Sequence, residues 1–391
     1  MEMRRHSHFL TLLLYCIVLL SLCLFCHVDR IKADDHDHPE DSWFNEDDDD
    51  YDETVDNMIE KARNDKRGSC DMSSGKWVFD ESYPLYDPSC SYLSTRVSCQ
   101  RNGRPDSDYQ KWRFHALDFL GRMRRKRVML VGDSIMRNQW ESLVCLVESV
   151  MPTGRKAVTY NGPTMAFHAL DFETSIEFAW APFLVEVKDG PKNERVLHLD
   201  SIEENAKLWK GVDILVFDSA HWWTHSGTLS SWDYCMEGKT VLRNLNPMVA
   251  YEKGLTTWAK WIDLNLDPKR TTVIFRSMSP RHNRDNGWKC YNQREPIEHF
   301  THQPHIPGQF FVLQEVLKRM SFPVYLQDIT RMSTFRRDGH PSIYGRARDQ
   351  KQRLHMKDYT SDCSHWCLPG VPDAWNEMLN AMLLNMREHT S

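Results

Sequence analysis

No Asn-x-Ser/Thr sequon occurs in the 391 residues, so N-glycosylation offers no guide to topology. There is no excess of positive charge: 49 Lys and Arg face 55 Asp and Glu, for a formal net charge of −6. The chain therefore lacks the basic field that nucleic-acid binding needs, and any anion must be met locally. Gly-rich phosphate-binding loops and internal repeats are also missing. No metal or nucleotide cofactor is implied. What is present is 41% apolar and 27% charged residues, which excludes global disorder and suits one large α/β domain with accessories. The 14 Trp and 18 His fit sugar handling or acid–base work, although large cores also use Trp.

The apolar run 9–28 follows Arg4 and Arg5 and is long enough to span a bilayer. It ends in Cys23-Leu24-Phe25-Cys26-His27, without a small-x-small cleavage site. We expect an uncleaved signal anchor with residues 1–8 in the cytosol and the rest in the secretory lumen; a cleaved signal peptide is the alternative. Residues 29–68 read as an extended acidic stem, marked by Glu46-Asp47-Asp48-Asp49-Asp50. Beyond the run lie Cys70, Cys90, Cys99, Cys145, Cys235, Cys290, Cys363 and Cys367. An even number in an oxidising lumen points to bridges. A zinc site at Cys363, His365 and Cys367 is disfavoured by compartment and spacing.

A Cys-rich subdomain is expected over 69–122, with a short strand at 75–80, and an α/β domain over 123–388. Short apolar strands read at 127–131, 212–217, 272–275 and 324–326, and helices at 135–150, 248–264, 309–320 and 372–386. Strands alternating with helices imply a parallel sheet sandwiched between helical layers. The long connection 277–307 is a candidate binding loop.

Gly132-Asp133-Ser134 sits where the first strand hands over to a helix. A Ser on such a turn presents its hydroxyl at the carboxyl edge of the sheet, and the helix N-terminus favours a developing oxyanion. The plainer reading is a helix cap. A Ser nucleophile needs a base and an orienting acid, which Asp-x-x-His supplies on one turn. Three such spacings occur, Asp35/His38, Asp218/His221 and Asp362/His365. The first lies in the acidic stem. The second follows a strand. The third is preferred, because Cys363 and Cys367 would hold its loop rigid. His221-Trp222-Trp223 is then a candidate sugar-binding floor, with buried Trp as the plainer alternative. His340 is a rival base but reads better as a satisfied loop histidine.

Gly132-Asp133-Ser134 with Arg137-Asn138-Gln139-Trp140, and Asp362-Cys363-Ser364-His365-Trp366-Cys367-Leu368-Pro369-Gly370, resemble the plant trichome-birefringence-like (PC-esterase) proteins. The likeness continues through Arg101-Asn102-Gly103-Arg104-Pro105-Asp106, Trp258-Ala259-Lys260-Trp261 and Arg337-Asp338-Gly339-His340-Pro341-Ser342. It implies an SGNH/GDSL-hydrolase-like α/β lobe with a smaller disulfide-stapled N-terminal lobe. It implies O-acetylation of plant cell-wall polysaccharides, xylan first and pectin second, in the Golgi membrane as a single-pass type II protein. By that resemblance Ser134 is the nucleophile, His365 the base and Asp362 its partner, with Gly132 and Arg137 at the oxyanion. The acetyl donor, such as acetyl-CoA, is a co-substrate. An acetylesterase and a non-catalytic wall-polysaccharide binding protein are the alternatives. Two departures stand out. Glu173 occupies a position where relatives often carry an oxyanion-donating Asn, and a segment is missing between Trp112 and Leu117. The missing segment would leave one cysteine without its usual partner, while Cys235 looks like an addition.

Overall fold

Burial on both faces of a short apolar run sets the centre of the molecule: in Arg127–Gly132 every residue after Arg127 is buried. The computed structural model describes residue 77 and residues 86–106, 116–225, 230–282, 289–297, 306–346 and 361–388. The expected anchor 9–28, the stem 29–68, the 75–80 strand apart from Trp77, and the junction after Trp112 up to residue 115 lie outside the described residues. Among the described residues, no helix is long and apolar enough to cross a membrane.

In chain order the main elements are α1 (Ala116–Met123), β1 (Arg127–Gly132), α2 (Ser134–Glu148), β2 (Lys156–Asn161), β3 (Thr164–Ala169), β4 (Thr174–Trp180), β5 (Glu186–Asp189), β6 (Arg195–His198) and β7 (Ile214–Phe217). They continue with β8 (Tyr234–Glu237), β9 (Thr240–Leu242), α3 (Pro247–Asn265), β10 (Thr272–Arg276), α4 (Gly308–Lys318), β11 (Val324–Gln327) and α5 (Val371–Glu388). The main sheet runs β11-β10-β7-β1-β4-β3-β2. Its first five strands are parallel, and β3 and β2 close one edge as an antiparallel pair. Successive connections leave β1 in opposite directions, which opens a crevice at its carboxyl end.

One face of the sheet (Met129, Val131, Leu215, Phe217, Val273, Phe275) packs on Trp258 and Trp261 of α3 and on Leu313 and Val316 of α4. Helices α2 and α5 cover the other face. Local chemistry agrees with these boundaries. Asp133 caps α2 by accepting from the Ile135 N–H at 2.8 Å, and Asn246 with Pro247 opens α3.

The four expected strands and four expected helices of the α/β domain are all present. Strand β4 is additional to them, because Ser175 and Glu177 interrupt its apolar run. Glu177 Oε1 accepts from Arg127 Nε at 2.8 Å, so the charge is neutralised across the β1/β4 pair. The second sheet, β5-β6-β8-β9, is also additional.

Among the described residues, three disulfides join Cys90 to Cys145, Cys99 to Cys367 and Cys290 to Cys363. Cys235 is a free, buried thiol, its pKa pushed up to about 12 by burial, so the even cysteine count does not translate into four bridges. Cys363 and Cys367 are both bonded to sulfur and offer no thiolate to a metal.

Candidate active site

Gly132 ends β1 where there is no room for a side chain. A Cβ there would lie 2.8 Å from the Asp218 carbonyl oxygen and 2.9 Å from Met136 Cβ. Asp133 spends its carboxylate on the helix cap, and Ser134 begins α2 at the carboxyl edge of the sheet. Ser134 Oγ lies 2.9 Å from His365 Nε2. On the other side of the ring, the Nδ1–H of His365 donates to Asp362 Oδ1 and Oδ2 at 3.1 and 3.0 Å. The backbone N–H groups of His365 and Ser364 also donate to Asp362 Oδ1, at 3.1 and 3.2 Å. Burial opposes ionisation of Asp362. The His365 ring and the two backbone donors outweigh it and hold the carboxyl well below the usual carboxylate range. With Nδ1 protonated, Nε2 is an acceptor facing the Ser134 hydroxyl, the arrangement of a general base beside a nucleophile. A guanidinium N–H of Arg96 also reaches Nε2, at 3.4 Å.

The loop carrying Asp362 and His365 is fixed from several directions. Cys363 is tied to Cys290 and Cys367 to Cys99. Ser342 and Asp362 exchange backbone hydrogen bonds of 2.9 and 3.0 Å. Asn138, one turn along α2 from Ser134, accepts from the Trp366 N–H at 2.7 Å and donates to the Trp366 carbonyl at 3.2 Å. His340 supports the same loop. Its Nδ1–H donates to the His365 carbonyl at 2.6 Å, and its ring stacks on Trp366 with centroids 4.0 Å apart. Burial, reinforced by neighbouring His282, pushes the His340 pKa down, so it is a neutral brace buried behind the site.

The other Asp-x-x-His pair is organised differently. Asp218 forms an ion pair with Arg276, whose side chain is entirely buried, while the Nε2–H of His221 donates to the Ser279 carbonyl at 2.8 Å. Arg137 lies one turn after Ser134. Its Nε donates to buried Glu141 at 2.9 Å, and the half-exposed guanidinium keeps its terminal nitrogens unbonded among the described residues.

Two expectations need correction. Trp223 and His221 are not a sugar floor: Trp223 is fully buried, donates to Ser219 Oγ at 2.8 Å and packs against Gly254, and His221 is also buried. Of the three, Trp222 is only partly buried. It meets Trp180 edge to face at 5.3 Å, and Trp180 lies opposite Gly132 in the β1/β4 register. Glu173 is not at the oxyanion position. It precedes β4 at the amino edge of the sheet and pairs with Arg125 at 3.2 Å. Strand β1 separates the two edges by roughly 15–20 Å at about 3.3 Å per residue. The Asn-to-Glu departure therefore says nothing about catalysis.

Arg96, Asn138 and Trp180 join the site without a clear mark in the sequence. Asn138 stands in the motif after Ser134 but carries no sign of its role there. Arg96 comes from the N-terminal lobe, and nothing local marks a long-range neighbour. Trp180 becomes visible only once β4 is placed beside β1.

A seryl hydroxyl, an imidazole and a carboxylate in series at the carboxyl edge of a parallel sheet form the geometry that acyl-transfer chemistry requires, on an SGNH-like lobe. Residues 112–382 match the PC-Esterase family, described as a GDSL/SGNH-like acyl-esterase family found in Pmr5 and Cas1p, and residues 68–118 match the PMR5 N-terminal domain. The chain is 57% identical over 381 residues to Protein trichome birefringence-like 36 of Arabidopsis thaliana, covering 94% of this chain and 97% of that relative. It is 40% identical over 332 residues to Protein trichome birefringence-like 40 of the same plant, covering 81% and 88%. The chain belongs to the trichome-birefringence-like group of the PC-esterase family.

Proposed function

We propose that this protein is an O-acetyltransferase that moves acetyl from an activated donor to a hydroxyl of a plant cell-wall polysaccharide, through acetyl-Ser134. The observation that carries the reading is the unbroken series Ser134 Oγ, His365 Nε2, His365 Nδ1 and Asp362, with gaps of 2.9 and 3.0 Å. In the first half-reaction His365 Nε2 takes the Ser134 proton as Oγ attacks the acetyl carbonyl. The tetrahedral intermediate collapses, and the donor's leaving group departs with that proton. In the second half-reaction a sugar hydroxyl gives its proton to Nε2 and attacks the acetyl-Ser134 carbonyl. Ser134 Oγ leaves and recovers the proton. Arg137 supplies positive charge near the oxyanion, and Gly132 lets the backbone approach it closely. The partly exposed Trp222 and Trp180 offer faces for sugar rings.

Xylan is the first acceptor to test and pectin the second, with the protein held in the Golgi membrane by the 9–28 run. The family description favours a second reading, hydrolysis, in which water replaces the sugar in the second half-reaction. Brief exposure to acetyl donor followed by mass spectrometry should find acetyl on Ser134, and none in Ser134→Ala. Adding xylan oligomers should then discharge it into acetylated sugar. Free acetate alone would favour the esterase. Absence of acetyl-Ser134 with every donor tried would reject both.

A further inference from the structure

Most arginines around this site are paired with a carboxylate: Arg104 with Asp106, Arg137 with Glu141, Arg276 with Asp218 and Arg336 with Asp338. Arg96 and Arg346 are not. Both are exposed and have no carboxylate partner among the described residues. They line one open cleft of about 410 Å³, together with Ser342, Ser361, Asp362 and Ser364. Asp362 and Ser364 flank His365, and Arg96 reaches the ring of His365, so the cleft starts at the acyl-transfer centre. The hydroxyl oxygens of Ser342 and Ser361 lie buried just beneath the cleft wall and make no hydrogen bond within the described structure. The one acid in the wall, Asp362, already accepts from His365 and Ser364 and does not neutralise the two guanidinium groups.

Two exposed guanidinium groups without a carboxylate partner among the described residues, on one cleft of a chain of net charge −6, mark a place for an oxyanion. We propose that this cleft is an acceptor subsite for the carboxylate of an acidic sugar, held by Arg96 and Arg346 while a neighbouring hydroxyl reaches His365. This rests on the acyltransferase reading and narrows its acceptor to uronic-acid-bearing polysaccharide. A donor's phosphate groups share the same anionic chemistry. The described wall, however, carries no aromatic side chain on which a nucleotide base could stack.

The test is equilibrium binding to full-length Ser134→Ala protein. The probes are a uronic-acid tetramer, a neutral xylose tetramer and coenzyme A. The acidic tetramer should bind about tenfold or more tightly than the neutral one at low salt, with the preference shrinking as salt rises. Arg346→Gln and Arg96→Gln should each erase most of that preference, whereas Arg125→Gln on the far edge should leave it intact. Arg96→Lys, which keeps the charge, should restore part of it. Equal affinity for the two tetramers would overturn the subsite. So would a preference that survives both Gln variants, or coenzyme A binding that depends on both arginines without any sugar preference. If acetyl-Ser134 forms but no acidic preference exists, the subsite falls and the acyltransferase reading stands. If the acidic preference exists but Ser134 is never acylated, the carboxylate site stands and the acyltransferase reading falls.

Discussion

Cys99 is bonded to Cys367, which stands two residues after His365, so the N-terminal lobe is covalently tied to the loop that carries His365. The linked residues are 268 positions apart, and the constraint on the unfolded chain is correspondingly large. Replacing both with Ser should lower unfolding free energy by about 2–5 kcal/mol, read from urea midpoints. The double Ser variant of Cys90 and Cys145 should lose similar stability but keep more turnover, because that bridge does not touch the His365 loop. Equal loss of turnover in both variants would remove the positioning role.

Triad variants should fail at acylation. His365→Ala and Asp362→Asn should each slow formation of acetyl-Ser134 by on the order of 10³–10⁴-fold in single-turnover measurements. His221→Ala should instead lower thermal stability, because it leaves the Ser279 carbonyl without its buried donor, and it should slow acylation far less.

The two adjacent tryptophans should separate cleanly. Trp223→Ala opens a cavity in the main core and should cost about 3–5 kcal/mol by urea denaturation. Gly254→Ala should also destabilise, since its Cβ would stand 2.2 Å from the Trp223 ring. Trp222→Ala should raise the acceptor KM about two- to tenfold, with a much smaller stability change.

The buried histidines should each withdraw stability on mild acidification. Burial pushes both His221 and His282 down to about 4, against about 6.5 in the unfolded chain. Between those values the unfolded state binds protons that the folded state refuses. Their contribution is complete above pH 6.5 and is lost toward pH 4, up to about 3 kcal/mol each. Asp373 acts in the opposite sense. Burial raises its pKa to about 7, so its contribution is complete below about pH 4 and is lost as pH rises toward 7. Buried His340, pushed down, adds to the two histidines, and buried Glu141 and Asp218, pushed up, add to Asp373, so the histidine share is read as the difference in urea midpoint between the wild type and His221→Gln from pH 7.5 down to 4. That difference should fall toward pH 4, and an unchanged difference would contradict the assignment.

Apolar runs make β1, β7 and β10 legible, because strands buried on both faces need little else, and β11 is legible as an apolar run although it is an edge strand with Tyr325 exposed. Strand β4 stays hidden because Glu177 is acceptable there only with Arg127 alongside, a pairing no local window contains. The Ser134, Asp362 and His365 blocks are visible as motifs, and the fold brings them into contact. Trp223 and Trp222 look equivalent in the sequence. Only the packing of α3 buries one and leaves its neighbour partly open. Glu173 misleads for a related reason: its motif suggests a role at the oxyanion, and strand direction places it at the wrong end of β4.

Glu141 sets a practical limit on how the protein can be cut. Its buried carboxylate, on the helix that begins at Ser134, accepts from the N–H and hydroxyl of Ser94 and from Arg137. A recombinant fragment beginning near β1 would discard Ser94 and strand a desolvated acid inside the remainder. Expression boundaries drawn around the catalytic lobe alone should yield insoluble material, and the two lobes should behave as a single inheritable piece.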